Sequence, residues 1–280
     1  MSRRLILRIA AWCVLAAAVY FFLYVYPARV RPTPHPGIFL AQFDLDTPAD
    51  RLTALHSDLA SLPASSVLVS DLQFSSEEPL RNIQDLLHVN GPCTGESSPD
   101  SLSFLAHLHR CGYRTEAFLH DPTGIALVAL ASCFHGTELF LGESTSAESV
   151  FEQAIDRFRS RERDRQPLLL YVRLHPSVAA SEALSSTAAR LVAFSQEHPQ
   201  DVVALVATAP TAGTPRRHLS ALILAPGRIP VAAPLHQQSV SIQDIHSVLL
   251  TVADLPPMPE GSRDLFEELL PSPFTPNDRP

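Results

Sequence analysis

Lysine and arginine are too few and too scattered in this chain to form a basic surface. With 21 of them against 29 acidic residues the formal net charge is -8 and the pI lies near 5.8. Nucleic-acid binders need clustered cations to neutralise phosphates, so that class is excluded. The chain also lacks a glycine-rich phosphate loop, a Cys-x-x-Cys pair and a Gly-x-Ser-x-Gly elbow, which removes the P-loop enzymes, the dithiol oxidoreductases and the serine hydrolases of that type. No low-complexity block interrupts it. What remains is 280 residues of 46% hydrophobic content, enough to bury one sizeable core.

One long apolar run stands at the start. Ile9 to Tyr26 carries no charge and follows Arg3, Arg4 and Arg8, and about 18 to 20 such residues cross a bilayer as a helix. The expectation is a cytoplasmic segment 1–8, a transmembrane anchor 9–26, a proline-rich spacer 27–36, a folded domain 37–270 on the extracytoplasmic, periplasmic side, and a proline-rich tail 271–280. A cleaved signal peptide is the alternative, although no small-x-small cleavage site follows the run. In an oxidising compartment Cys93, Cys111 and Cys133 could pair. Proximity favours Cys93 with Cys111, and buried free thiols are the other reading.

From 37 onward apolar strand-like runs alternate with amphipathic helices. Strands are expected at 37–43, 66–69, 115–119, 168–174, 202–208 and 219–225, several of them continuous apolar runs of the kind covered on both faces. Helices are expected at 48–62, 78–87, 99–110, 147–160, 179–197 and 241–254. Thr47-Pro48 and Ser98-Pro99 supply helix starts, and Cys111-Gly112 a stop. The alternation implies an α/β fold, a three-layer sandwich around a mostly parallel sheet. His107 and Cys111, four apart on one helix, could share a metal, but a histidine at a helix end more often serves the helix dipole.

Several segments match a known family. Pro36-Gly-Ile-Phe-Leu-Ala-Gln-Phe-Asp44 with Asp50-Arg-Leu52, the link Cys111-Gly-Tyr-Arg-Thr-Glu-Ala-Phe118, the strand Leu168-Leu-Leu-Tyr-Val-Arg-Leu-His-Pro176, and the closing run Leu219 to Ala225, Pro226-Gly227 and Val240-Ser-Ile-Gln-Asp-Ile through Leu255-Pro256 together resemble the sulfatase and alkaline phosphatase superfamily. The family's versions read "Pro-Asn-Ile-Val-Leu-Ile-Val-Leu-Asp", "Ala-Gly-Tyr-Arg-Thr-Ala-Ala-Phe", "Leu-Tyr-Val-His-Leu-x-Asp-Pro-His" and "Val-Ser-x-x-Asp-Ile-x-Pro-Thr-Leu-Leu". The resemblance implies that Asp44, and with it Asp46, stands at a metal-binding position. Taken without the family, Asp44 reads as a turn or capping residue.

The chemistry departs from that frame. Ala209 and Pro210 stand where the family has its metal-binding Asp and His, and Ser177 replaces the second His of the strand motif. The nucleophile motif Cys/Ser-x-Pro-Ser-Arg has its nearest counterpart in Glu77-Glu-Pro-Leu-Arg81, where a carboxylate replaces the nucleophile and would repel an anionic ester. Glu77, Arg81, His175 and His218 are left as residual cleft candidates. The reading is a membrane-anchored pseudoenzyme with no cofactor, binding an envelope partner or an anionic small ligand. The alternatives are an active sulfate or phosphate ester hydrolase or phosphoryl transferase using calcium, zinc or manganese, and an unrelated α/β envelope protein. In the active case Asp44, His175 and His218 should gather at one end of the sheet beside a hydroxyl.

Overall fold

The computed structural model describes residues 35–44, 66–74, 87, 104–121, 131, 133–141, 146–161, 166–175, 180–210, 217–226, 228–229 and 242–258. The anchor at 9–26, the tail and the expected helix at 48–62 lie outside them, as do 27–34 of the spacer and 78–87 apart from Leu87. Among the described residues no helix is long and apolar enough to cross a membrane.

The strands are β1 (Ile38–Asp44), β2 (Ser66–Phe74), β3 (Arg114–Asp121), β4 (Gly136–Leu141), β5 (Leu168–Leu174), β6 (Val202–Pro210) and β7 (Arg217–Leu224). They form a seven-stranded sheet in the order β2-β7-β6-β1-β5-β3-β4. β1 pairs in parallel with β5 and β6, and β3 in parallel with β5 and β4. β7 runs antiparallel to both β6 and β2. Every residue of β1 and β5 is buried, which is why both read as long apolar runs rather than alternating ones.

The helices are α1 (Phe104–Arg110), α2 (Ala147–Ser160), α3 (Ala180–Glu197) and α4 (Ile242–Val252). Ser146 caps α2 by accepting from Ser149 N at 3.2 Å, and Val150, Phe151, Ala154, Ile155 and Phe158 then fall on its buried face. α1 ends as the Cys111-Gly112 signal predicts. Gly112 takes φ +84, its N–H reaches His109 O at 3.0 Å and that of Tyr113 reaches Leu108 O at 3.0 Å, the paired bonds of a left-handed glycine stop.

Side chains alternate across the sheet and separate two cores. On one face Ile38, Leu40, Leu169 and Ala204 pack with Phe104 and Leu108 of α1 and Ile245 and Leu249 of α4. On the other Phe39, Ala41, Leu170 and Leu205 pack with Phe151 and Phe158 of α2 and Leu191 and Phe194 of α3. Phe39 meets the rings of Phe151, Phe158 and Phe194 at centroid distances of 6.0, 5.4 and 5.6 Å. The three-layer α/β sandwich with a mostly parallel sheet is therefore the fold observed.

β4 is not among the expected strands. It is an edge strand with Glu138 and Leu139 exposed, so it carries no continuous apolar run. Of the two readings left open for the cysteines, a Cys93–Cys111 disulfide does not hold: Cys111 is a free thiol, whereas Cys133 is disulfide-bonded. Proximity in sequence does not decide pairing, because a disulfide needs the two Cα atoms within about 7 Å in the folded chain. Alkylation of the unreduced protein followed by peptide mass analysis is expected to modify Cys111 and spare Cys133. Modification of both without reductant would contradict this arrangement.

Candidate functional site at the carboxyl end of the sheet

Ligands in open α/β sheets gather beyond the carboxyl ends of the central strands. Here those ends belong to β5, β1 and β6, and they hold polar side chains inside otherwise apolar strands. Gln42 is the register partner of Arg173, and Asp44 of Thr208. Gln42 and Asp44 are two apart on β1, as Tyr171 and Arg173 are on β5, so each pair shares a face. That face is the one covered by α1 and α4.

The five side chains form one hydrogen-bonded network. Arg173 donates from Nε and Nη2 to Asp44 Oδ2, both at 2.6 Å. Asp44 Oδ1 accepts from Gln42 Nε2 at 2.9 Å and from Thr208 Oγ1 at 2.8 Å. Gln42 Oε1 accepts in turn from the Tyr171 hydroxyl at 2.6 Å. Asp44 is 4% exposed and Arg173 3%, so this is a buried ion pair whose carboxylate has four donors.

Burial pushes the Asp44 carboxyl towards protonation, but Arg173, Gln42 and Thr208 outweigh it and hold the group below its ordinary value of 3.8. Burial drives the Tyr171 phenol up as well, and here it prevails, holding the group far above the range in which it would ionise, with Arg173 opposing and Asp44 reinforcing. Among the described side chains of this network one negative charge is thus matched by one positive charge that the chain itself supplies.

The resemblance implies a metal, and the donor set around Asp44 does not fit one. Both carboxylate oxygens are engaged, and a guanidinium stands against Oδ2. Among the described residues no three His, Cys, Asp or Glu side chains could hold an ion together, and a calcium ion wants about six to eight oxygens while zinc wants about four ligands. Ala209 and Pro210 close β6 immediately after Thr208, and neither residue type has a ligating side-chain atom.

The other expected residues divide into three groups. His175 follows β5 directly, where its N–H reaches His120 Nδ1 at 3.4 Å. His218 stands near the start of β7, opposite Ala209, so Asp44, His175 and His218 do lie at the same end of the sheet, with Thr208 on the strand between β1 and β7. Two strand spacings put His218 about 10 Å across the sheet from Asp44. Asp46, Glu77, Arg81 and Ser177 lie outside the described residues. His107, weighed with Cys111 as a metal pair, bonds the Pro256 carbonyl at 2.8 Å with Cys111 Sγ at 3.8 Å, so it ties α1 to the segment after α4.

Sequence reading alone does not single out Gln42, Tyr171, Arg173, Thr208 or His120. A signal is present for two of them: Gln42 and Arg173 are the polar interruptions in Ile38-Phe-Leu-Ala-Gln-Phe-Asp44 and Leu168-Leu-Leu-Tyr-Val-Arg-Leu174. Buried charges are retained only when paired.

Removing either charge strands the other in the core. Asp44→Asn and Arg173→Met are each expected to cost about 3–5 kcal/mol, and the double variant much less than their sum. The pH sense follows from the lowered carboxyl. Its stabilisation is complete above the unfolded value near 3.8 and is lost as pH falls through the lower folded value. Urea denaturation against pH should therefore show an acid-side loss below about pH 4 that is smaller in Asp44→Asn. Additive single-variant costs would contradict the pairing.

Comparison of the sequence with family models and with curated proteins gives no match. Comparison with solved structures does. A putative sulfatase from Bacteroides thetaiotaomicron aligns over 84% of this chain and 74% of its own, at TM-score 0.58 and 9% identity. The C-terminal periplasmic domain of EptC from Escherichia coli, in complex with zinc, aligns over 78% and 82% at TM-score 0.56 and 9% identity. The lipoteichoic acid synthase LtaP from Listeria monocytogenes aligns over 84% and 78% at TM-score 0.51 and 11% identity. Identities so low speak for architecture alone, and on architecture these neighbours agree: the chain has the alkaline phosphatase-like fold that sulfatases share with EptC and LtaP.

Proposed function

We propose that this chain is a sulfatase-fold pseudoenzyme, held to the membrane through residues 9–26 with its domain outside the cytoplasm, and that it works by binding an envelope partner or an anionic ligand rather than by turning over esters. One observation carries the reading: the Asp44 carboxylate, at the position where the resemblance implies a metal ligand, is saturated by Arg173, Gln42 and Thr208. A guanidinium inside the fold neutralises that carboxylate permanently. A metal can open coordination positions to a substrate and polarise it, whereas a guanidinium already committed to Asp44 has no such position to offer.

The sequence around the site supports the same reading. Ala209 and Pro210 have no ligating side-chain atom, and the resemblance sets Glu77, a like charge for an anionic ester, at the nucleophile's place in the motif. The disulfide at Cys133 suits an oxidising compartment outside the cytoplasm.

An active hydrolase or transferase is the second reading. It draws on the shared location of Asp44, His175 and His218 beside Thr208, and on fold neighbours that are sulfatases and phosphoryl transferases. Fold alone does not assign function. The two readings part on turnover. The full-length protein, supplied in turn with calcium, zinc, manganese or magnesium, is expected to hydrolyse aryl sulfates, aryl phosphates and phosphodiesters no faster than its Asp44→Asn variant. Turnover abolished by Asp44→Asn would establish the hydrolase.

A further inference from the structure

Three side chains close the amino end of β3 onto the turn that leads into β4. Backbone groups alternate sides along a strand: the Arg114 N–H reaches the Pro167 carbonyl on the β5 side at 2.9 Å, so Thr115 turns its own N–H and C=O towards β4. There the Thr115 carbonyl accepts from the His135 N–H at 2.9 Å, and the Thr115 N–H donates to Nδ1 of the His135 ring at 3.1 Å. A side-chain nitrogen thus stands where a strand carbonyl would. Regular pairing begins one residue on, with Glu116 opposite Gly136.

The Thr115 hydroxyl joins a second imidazole to this junction. Oγ1 is 2.8 Å from His109 Nε2 and 3.2 Å from His135 Nδ1, and the two rings lie 4.2 Å apart. Thr115 is fully buried, whereas both rings line an open cavity of about 580 Å³, through which solvent protons reach them. To accept the amide, His135 Nδ1 must be unprotonated, which leaves the proton of the neutral ring on Nε2. A first proton fits the hydrogen bonds: with both nitrogens of His109 protonated, Nε2 donates to Oγ1 and Oγ1 donates to His135 Nδ1. A second does not. On Nδ1 it sets one N–H against another, strips the Thr115 amide of its acceptor and places two imidazolium rings side by side.

Among the described residues the two rings contact Thr115 and each other, and no carboxylate bonds either. Glu116 projects to the other face of β3, where Arg157 of α2 holds both its oxygens at 2.7 Å and Arg114 Nε meets Oε1 at 2.7 Å. Glu138 of β4 is exposed and lies opposite Phe118, further along β3. On α1, His107 bonds the Pro256 carbonyl at 2.8 Å, Arg110 has partners of its own, and burial pushes the Cys111 thiol up. Tyr113 donates to the Pro36 carbonyl at 2.7 Å, and burial keeps its phenol neutral. Burial and then His135 hold His109 below the ordinary histidine range.

We propose that the His109–Thr115–His135 cluster is an acid-sensitive latch: it holds β3 to the approach of β4 while the pair carries at most one proton, and a second proton taken up from the cavity releases Thr115 and opens the edge of the sheet there. The latched form binds fewer protons than the open one. It is therefore favoured above the ordinary histidine value of 6.5 and gives way as pH falls below it. Release stays at the edge, because the pairing of β3 with β5 uses the backbone groups that point the other way. The latch is independent of the Asp44 network, so its failure would leave the pseudoenzyme reading untouched.

Amide hydrogen exchange of the full-length protein reads the latch at Thr115. Its protection factor is expected to fall about tenfold or more between about pH 7.5 and about pH 5, while amides of the central β5, such as Tyr171 and Val172, keep theirs. His135→Asn leaves an acceptor near the place of Nδ1 that acid does not protonate, and should keep Thr115 protected at both pH values. His135→Ala should lose that protection at both, and His109→Gln, with one titrating ring fewer, should lessen the pH effect. Protection in β5 shows that each variant is folded, and the wild-type comparison stands even where a variant is not. Equal Thr115 protection at the two pH values in the wild type, or a loss on acidification that His135→Asn does not prevent, would overturn the proposal.

Discussion

The contact between Asp44 and Arg173 constrains everything at the carboxyl end of this sheet. A carboxylate buried there needs a counter-charge, because an isolated ion in a low-dielectric core is too costly to keep. The resemblance implies that relatives meet this need with a metal. This chain meets it from its own β5, with two bonds from Arg173 to Oδ2 and with Gln42 and Thr208 on Oδ1. The parallel pairing of β1 with β5 and β6 sets the register that makes those contacts possible. A buried pair of this kind is poor evidence of net stability, since an apolar replacement can be as stable. Its consequence is chemical: with four donors on its two oxygens the carboxylate has no lone pair to lend.

Much of the fold was legible because its central strands are buried on both faces. The strand expected at 168–174 and the helix expected at 147–160 match β5 and α2 residue for residue, since long apolar runs and a clean helical stripe have little competition. β4 was not legible, because an exposed edge strand has neither signature. Among the site residues, Asp44 was visible as a carboxylate at a strand end, and its environment was not. Arg173 interrupts an apolar strand in plain view, yet its partner depends on register across β1 and β5, which no local pattern encodes. The cysteines make the same point, since sequence proximity suggested Cys93 with Cys111 and the structure leaves Cys111 free.

The sheet has two chemically different poles. At the carboxyl end the charges cancel internally and the side chains are locked by mutual hydrogen bonds. At the amino end of β3 the imidazoles of His109 and His135 line an open cavity and share the Thr115 hydroxyl.

The most direct test of the central claim is elemental analysis of the full-length protein, purified without chelator, for zinc, calcium, manganese and magnesium. If Arg173 supplies the charge at Asp44, the folded protein carries only trace metal, and Asp44→Asn leaves the content unchanged. Stoichiometric metal that disappears in Asp44→Asn would contradict the account and return Asp44 to the role of a ligand.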